Sequence, residues 1–544
     1  MQEQNLRLKG LRVGSLPILD RFIERMRLRE ELLSAVRNEG YVDALLVLLK
    51  NILVDRNALY AIRDWAMEFD PRLVAGGEIG DDRLGRGLDR LFAADRATLQ
   101  TRIVLGVTKT FRLQMDRVHN DTTSVKVFGQ YSAQHREGVQ LKRGHSKDHR
   151  PDLKQLVYSL CVTSDGAVPV HFKSYDGNQT DDGIQWETWR DIRSLLRRPD
   201  FMYVGDSKLC VEETLRKIDR EHGRFVTLVP RTRTEVREFT EEVLSGDVRW
   251  ERVLRQRSTR RRHEFDTFDC AAGLYQLREG FRLYWYRSSQ KKKRDSEDRR
   301  DRIARAWEKL ERLDLKRGRG PKTEKALRKR VDKILARHRA QEWLVVDIKF
   351  DAVDRFTAET RGKPTSETRY RRLTKKVPRL HIRKNAEAIA RSKAMDGIFP
   401  LTTNTKEEPL DVLRVYKYQP KLEKRHALLK STLDVAPVWI KKNTRIEALM
   451  FIEYLAQMVA ALIERELRLA MGRKKLPELK SLPEGRGSKT PTIEQILRLF
   501  EHRSRNELYD GGKHVKSFTE PLTGVQAKIL TLLQVPSVAY LSPL

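Results

Sequence analysis

The chain has 544 residues, 39% of them hydrophobic, which is enough for packed cores and too long for one ordinary core, so several domains are expected and wholesale disorder is excluded. Lys and Arg number 109 against 76 Asp and Glu, a formal net charge of +33 with a pI near 10, and such self-repulsion points to a polyanionic partner, nucleic acid first. Three widely spaced cysteines (Cys161, Cys210, Cys270) without a C-x-x-C pair exclude a disulfide framework or cysteine zinc cluster and fit a reducing cytoplasm.

The N-terminal stretch MQEQNLRLKGLRVGSLPILDRF scatters its charges and lacks the continuous apolar core of a secretory signal. Residues 1–105 read as helices, with apolar positions at helical spacing in LPILDRFIERM and VDALLVLLKNIL and turn signals in DPRLVAGGEIGDD. This domain is expected to bind DNA ends, a plain helical docking domain being the alternative.

From Phe111 the texture changes to β-branched and aromatic residues. FRLQMDRVHNDTTSVKVFGQY is a strand region, and KQLVYSLCVTSDGAVPVHFKSYDG gives two strands joined by Ser164-Asp165-Gly166. A helix (IQWETWRDIRSLLR), a strand (FMYVGD), a helix (VEETLRKID) and a strand (RFVTLVP) come next. Three strands, then helix, strand, helix, strand is the order of an RNase H-like α/β core, assigned here to 106–231.

Residues 232–396 break that pattern and are expected to form a mixed β/helical insertion domain. Its strands YQLREGFRLYWYR and EWLVVDIKF flank a stretch from Arg287 to Ala340 with 22 Lys or Arg against 9 Asp or Glu. The helical periodicity of RIARAWEKLERL predicts exposed helices there, suited to DNA contact. Tyr284, Trp285 and Tyr286 read as core strand residues, with stacking on a displaced base as the alternative. The α/β core resumes over 397–475, with the strand DGIFPLTTN, a helix carrying Glu423, and a long apolar helix from Ala448 that is interrupted by Glu453 and Gln457 and reads as buried rather than membrane-spanning. A Pro/Gly/Lys linker leads to a helical C-terminal region, 476–544.

Three carboxylates stand out against this basic background. Asp121 lies in the first core strand, Asp206 ends the fourth, and Glu423 is the one acid among five Lys or Arg in YKYQPKLEKRHALLK. Singly, the aspartates also read as a turn residue and a helix cap. Together they are sharper, because first and fourth strands lie side by side in such a sheet and a later helix can bring the third acid over that edge. The spacings are 85 and 217 residues, the second lengthened by the insertion. Clustered carboxylates repel and need cations, and hard oxygen donors select Mg²⁺, two ions in this chemistry, with Mn²⁺ as a substitute.

The segments NDTTS, GHSKDHRPDLKQ (Gly144 to Gln155), GDSKL and the helix after DGIFPLTTN together resemble the DDE transposases of bacterial insertion sequences, in the IS-four type group with a Y-(2)-R-(3)-E-(6)-K signature. The resemblance runs from about Val13 to about Pro491. It implies catalytic, metal-binding Asp121, Asp206 and Glu423, and DNA contacts from Tyr416, the signature's arginine position and Lys430. It also tilts Lys147, Arg150 and Lys154 of the polar loop toward organising DNA or the catalytic edge; His145 and His149 alone do not make a zinc site. The arginine position holds Gln419, and Pro420 behind it predicts a helix start near Pro420, with Lys417, Lys421 or Arg425 as replacement cations. The resemblance thus implies a cytoplasmic transposase that binds terminal inverted repeats and target DNA as a homodimer, without a membrane. A transposase-derived DNA-binding protein without catalysis and a stand-alone metal-dependent nuclease are the alternatives.

Overall fold

The computed structural model describes residues 6–74, 79–128, 137–144, 150, 152–257, 264–314, 323–359, 361–433 and 440–541. The chain is a mixed α/β protein that divides into two compact units, the first formed by Met1–Thr227, Thr403–Thr405 and Val412–Leu544, the second by Leu228–Thr402 and Lys406–Asp411.

The first unit opens with a strand, β1 (Leu6–Arg12), and six helices: α1 (Leu16–Arg25), α2 (Leu28–Val36), α3 (Glu39–Val54), α4 (Ile62–Met67), α5 (Asp81–Ala93) and α6 (Arg96–Phe111). Side-chain caps fix two of the starts, as Asn38 accepts from the Tyr41 N–H and Asp95 from the Thr98 N–H. The strand corrects the all-helical reading of 1–105. Its pairing partner lies almost five hundred residues downstream, and no local periodicity reports so distant a ladder.

Next come β2 (Arg117–Val127), β3 (Lys154–Thr163), β4 (Pro169–Tyr175), α7 (Asp181–Leu196), β5 (Met202–Gly205), α8 (Glu212–Arg220) and β6 (Arg224–Leu228). Their sheet order is β4-β3-β2-β5-β6, with β2, β3 and β4 antiparallel and β5 parallel to both β2 and β6. The turn between β3 and β4 is the expected Ser164-Asp165-Gly166, Gly166 taking φ +90°, a left-handed conformation that suits glycine.

In the second unit, α9 (Thr234–Ser245) precedes β7 (Trp250–Arg257), β8 (Phe265–Ala271), β9 (Tyr275–Gln276) and β10 (Arg282–Ser288). The basic stretch then forms two helices, α10 (Ser289–Asp314) and α11 (Glu324–His338), succeeded by a two-stranded ribbon, β11 (Leu344–Ala358) with β12 (Tyr370–Lys384), then α12 (Ala386–Ala394) and β13 (Ile398–Thr403). Trp285 and Tyr286 are fully buried, Trp285 stacked on Phe239 at 3.9 Å, and the Tyr284 and Tyr286 hydroxyls donate to the Glu407 and Pro409 carbonyls. Trp285 and Tyr286 are core residues, while Tyr284 is half-buried. β13 spans the division of the chain, its residues through Thr402 falling in this unit and Thr403 in the first.

The chain continues with α13 (Pro409–Tyr416), α14 (Gln419–Leu433) and α15 (Asn443–Arg473), then α16 (Ile493–Arg498), β14 (Ser504–Asp510), β15 (Lys513–Thr519), α17 (Gly524–Leu533) and α18 (Val538–Leu541). The sheet β1-β14-β15 revises the purely helical expectation for 476–544. Among the described residues α15 is the one helix long and apolar enough to cross a bilayer, and 94% of its apolar window is buried inside the protein. It packs against α1, α3, α5, α14, α16, α17 and β4, a helix apolar on all sides enclosed on all sides. The three cysteines are buried and free, and burial pushes the thiols of Cys161 and Cys270 up to about 12.

Candidate active site

The candidate site lies in the first unit, where β2 and β5 run parallel. Their register sets Arg117 against Met202, Val118 against Tyr203 and His119 against Val204, an offset of 85 residues. Asp121 and Asp206 differ by the same 85, so the register continued two residues past its last pair would set the two acids at one level, Asp206 being the residue after β5 ends. Adjacent strands are about 4.8 Å apart, close enough for two carboxylates to share a cation.

β2 is a central strand with an unusual interior: His119, Asn120, Thr122, Thr123 and Ser124 are all buried. Part of this polarity is met sideways, Asn120 Nδ2 donating to Ser159 Oγ at 3.0 Å and to the Leu160 carbonyl at 3.3 Å on β3, while Asn120 Oδ1 and His119 Nε2 are buried without a hydrogen-bond partner. Asp121 Oδ1 accepts from the Thr122 N–H at 2.8 Å. Beyond β5, Asp206 Oδ1 accepts from the Lys208 N–H at 3.0 Å, while the Asp206 carbonyl accepts from Thr227 Oγ1 at 2.6 Å. A Cβ on Gly205 would lie 2.9 Å from Leu209 Cβ, so the turn presenting Asp206 is tight enough to call for glycine.

The third acid arrives on α14. Gln419 is the helix's first residue and Pro420 its second, so the proline falls in the first turn where its missing N–H costs nothing. Tyr416 ends α13, with two residues between it and the start of α14. Gln419 is buried, with both ends of its amide used on β2: Oε1 accepts from His119 Nδ1 at 3.1 Å and Nε2 donates to the Asn120 carbonyl at 2.9 Å. The Tyr418 ring packs on His119 with 5.1 Å between centroids. His119 is neutral at physiological pH, as burial pushes it down to about 4, Gln419 opposing and Arg117 adding to the fall.

This clamp sets the phase of the helix. Gln419, Glu423, His426 and Lys430 fall at steps of four, three and four, one stripe of an α-helix. Gln419 touches the residue before Asp121, and His426 Nε2 lies 3.7 Å from Asp121 Oδ2. Glu423 sits between them on the stripe and is exposed; Lys430 is half-buried. The three acids meet electrostatically at Tyr416: its hydroxyl is pushed well up, first by burial, then by Asp206, Glu423 and Asp121. As the side chains stand, no three His, Cys, Asp or Glu among the described residues are grouped closely enough to hold a metal ion.

The remaining expected residues are placed differently. Gln419 is engaged inside the protein, which corrects its reading as a DNA contact. Arg425, one suggested replacement for the signature arginine, is also buried, donating to the Ala167 and Gly166 carbonyls and to Glu464 Oε2 at 2.8 Å. Arg150 is exposed in a bidentate pair with Asp152 at 2.8 and 2.7 Å, which holds that carboxyl down to about 2. Lys154 opens β3, half-buried. Lys147, with His145 and His149, lies outside the described residues. Sequence reasoning missed His119 and His426, although the Glu-x-x-His spacing of Glu423 and His426 was there to be read as one helical face.

No protein-family model matches the chain, and no curated protein matches it.

Proposed function

We propose that the protein is a DNA transposase of the DDE type with an RNase H-like catalytic core, acting in the cytoplasm on the terminal inverted repeats of its own element as a homodimer. The observation that supports this reading is the shared offset of 85 residues between the β2–β5 register and the spacing of Asp121 and Asp206, with Glu423 carried on a helix clamped to the same strand through Gln419. The strand order β4-β3-β2-β5-β6, with three antiparallel strands and two parallel ones, supports the fold assignment.

Asp121, Asp206 and Glu423 fit Mg²⁺ or Mn²⁺ by donor type, an all-oxygen set whose combined negative field registers on Tyr416. When bound, such ions supply a nucleophilic water or 3′-hydroxyl and offset charge on the leaving oxygen of a phosphodiester. The chain's own residues do the positioning. Gln419 and His119 hold the start of α14 on β2, and so fix the helix that carries Glu423. The Tyr416 phenol stays protonated and offers a hydrogen-bond donor beside the acids. Lys430, two turns beyond Glu423, supplies a cation for a neighbouring phosphate, and the basic helices α10 and α11 suit flanking duplex.

The test is Mg²⁺-dependent cleavage and end-joining of a labelled duplex carrying the repeats that flank the gene, by wild type and Asp206→Asn. Loss of cleavage by at least a hundredfold in the variant, with DNA affinity retained, is expected. Unchanged cleavage would sink the assignment of the acids, and cleavage without joining would favour a stand-alone nuclease.

A further inference from the structure

β11 and β12 pair along their whole lengths, from Leu344 opposite Lys384 to Ala358 opposite Tyr370, fifteen residues on each strand. At about 3.3 Å per residue the ribbon is roughly 50 Å long. Its two halves differ in kind. The near half is anchored: Leu344 and Val346 are buried, with Leu380 and Ile382 beside them, against Ala306 and Leu310 of α10 and Val331 and Leu335 of α11. In the far half both strands are exposed on both faces, and Val353, Phe356, Tyr370 and Leu373 are 45%, 63%, 51% and 45% exposed. A two-stranded ribbon free in water is marginal, and four large apolar side chains held there call for an occupant.

Charge identifies it. From Leu344 to Lys384 the chain has twelve Lys or Arg against five Asp or Glu, and β12 has seven of the cations and no acid. The three acids of β11 are already matched within the ribbon, Asp347 to Arg383, Asp351 to Arg379 and Asp354 to Arg372. The surplus therefore faces outward. In the register, Lys349 opposite Arg379, Arg355 opposite Leu373, and Thr357 opposite Arg371 share one face of the ladder.

We propose that the β11–β12 ribbon from Lys349 outward is an arm that enters the major groove of duplex DNA, with Lys349, Arg355 and Arg371 meeting phosphates on its basic face. The groove is about 12 Å wide and admits a two-stranded ribbon. The exposed Val353 and Leu373 share that face and suit sugar rings and thymine methyl groups, which explains apolar side chains among so many cations. A second copy of the chain is the poorer occupant, since pairing β12 with itself would oppose seven like charges. The inference rests on the reading of the protein as a DNA-processing enzyme and adds to it a groove contact within the second unit.

The experiment uses the full-length protein and a fluorescent 40-base-pair duplex of the element's end, titrated at several salt concentrations. Two variants are compared with wild type: Lys349→Gln/Arg355→Gln/Arg371→Gln, and one in which Val353–Lys375 is replaced by Asn-Gly to close the hairpin at Ala352 and Lys376. Each lost phosphate contact lowers the slope of log affinity against log salt by about 0.9, so the triple variant should lose roughly 2–3 from the slope and at least tenfold in affinity at 0.1 M salt. Wild type should protect guanine N7, a major-groove atom, from methylation, and the shortened variant should not. Unchanged slope, affinity and protection in both variants, with wild type binding well, would overturn the arm alone. Lost self-association of the free protein with DNA affinity intact would also overturn it, assigning the ribbon to a second copy. Wild type that neither binds nor cleaves the duplex would overturn the transposase reading together with the arm.

Discussion

Replacing Gln419 by Met tests whether the residue in the signature's arginine position holds the site together or holds DNA. Met keeps the volume and removes both hydrogen bonds, those with His119 Nδ1 and the Asn120 carbonyl. Two neutral bonds contribute about 0.5–1.5 kcal/mol each, and leaving the buried Asn120 carbonyl without its donor adds about 1 kcal/mol or more, so the contact between α14 and β2 should weaken by about 2–4 kcal/mol. Because a chain of two units need not unfold in one step, the assay is amide hydrogen exchange of peptides covering β2 and the first turn of α14. Exchange should quicken by about thirtyfold or more, 1.4 kcal/mol being a factor of ten. Cleavage should fall through kcat, while duplex affinity and its salt slope stay as in wild type. Unchanged exchange, together with a slope reduced by about one, would refute the clamp and return Gln419 to the DNA.

Glu453 gives a pH dependence in the same unit. Burial pushes its carboxyl up to about 8 from an ordinary 4.5, Arg56 opposing. The folded chain therefore keeps a proton that the unfolded chain releases between those values, and stability falls as pH rises through that window, by up to about 5 kcal/mol at 1.36 per unit. Glu453→Gln should unfold at a higher temperature than wild type at pH 8 and show little difference near pH 4.5, read by thermal melts at both. In the second unit, Arg299 and Asp396 are a buried bidentate pair at 2.6 and 2.7 Å. Arg299→Ala strands the aspartate and should cost about 3–5 kcal/mol, while Arg299→Met/Asp396→Leu should recover most of it in chemical denaturation tracked by Trp285 fluorescence.

How much of the structure is legible in the chain depends on the range of the interaction involved. The run from β2 to β6 is readable because each element carries its own period, and the spacing of Asp121 and Asp206 matches the β2–β5 register because the offset between parallel neighbours is a sequence distance. β1 is not readable, since its pairing is with β14. The same distinction explains the basic residues. Composition reports that cations are in excess; it does not report which are already matched. Arg425 looks like a DNA contact until Gly166, Ala167 and Glu464 are seen around it, while the ribbon residues beyond the basic stretch keep their surplus exposed. Gln419 is the clearest case. By pattern it is a defect in a DNA-binding signature, but it occupies a buried position that asks for one donor and one acceptor, which an amide has and a guanidinium, with donors only, does not. An arginine there would leave His119 Nδ1–H without its acceptor unless the ring changed tautomer. The departure from the pattern therefore goes with the packing of α14 on His119; on the transposase reading proposed above, DNA beside Glu423 would be held by residues that remain on the surface.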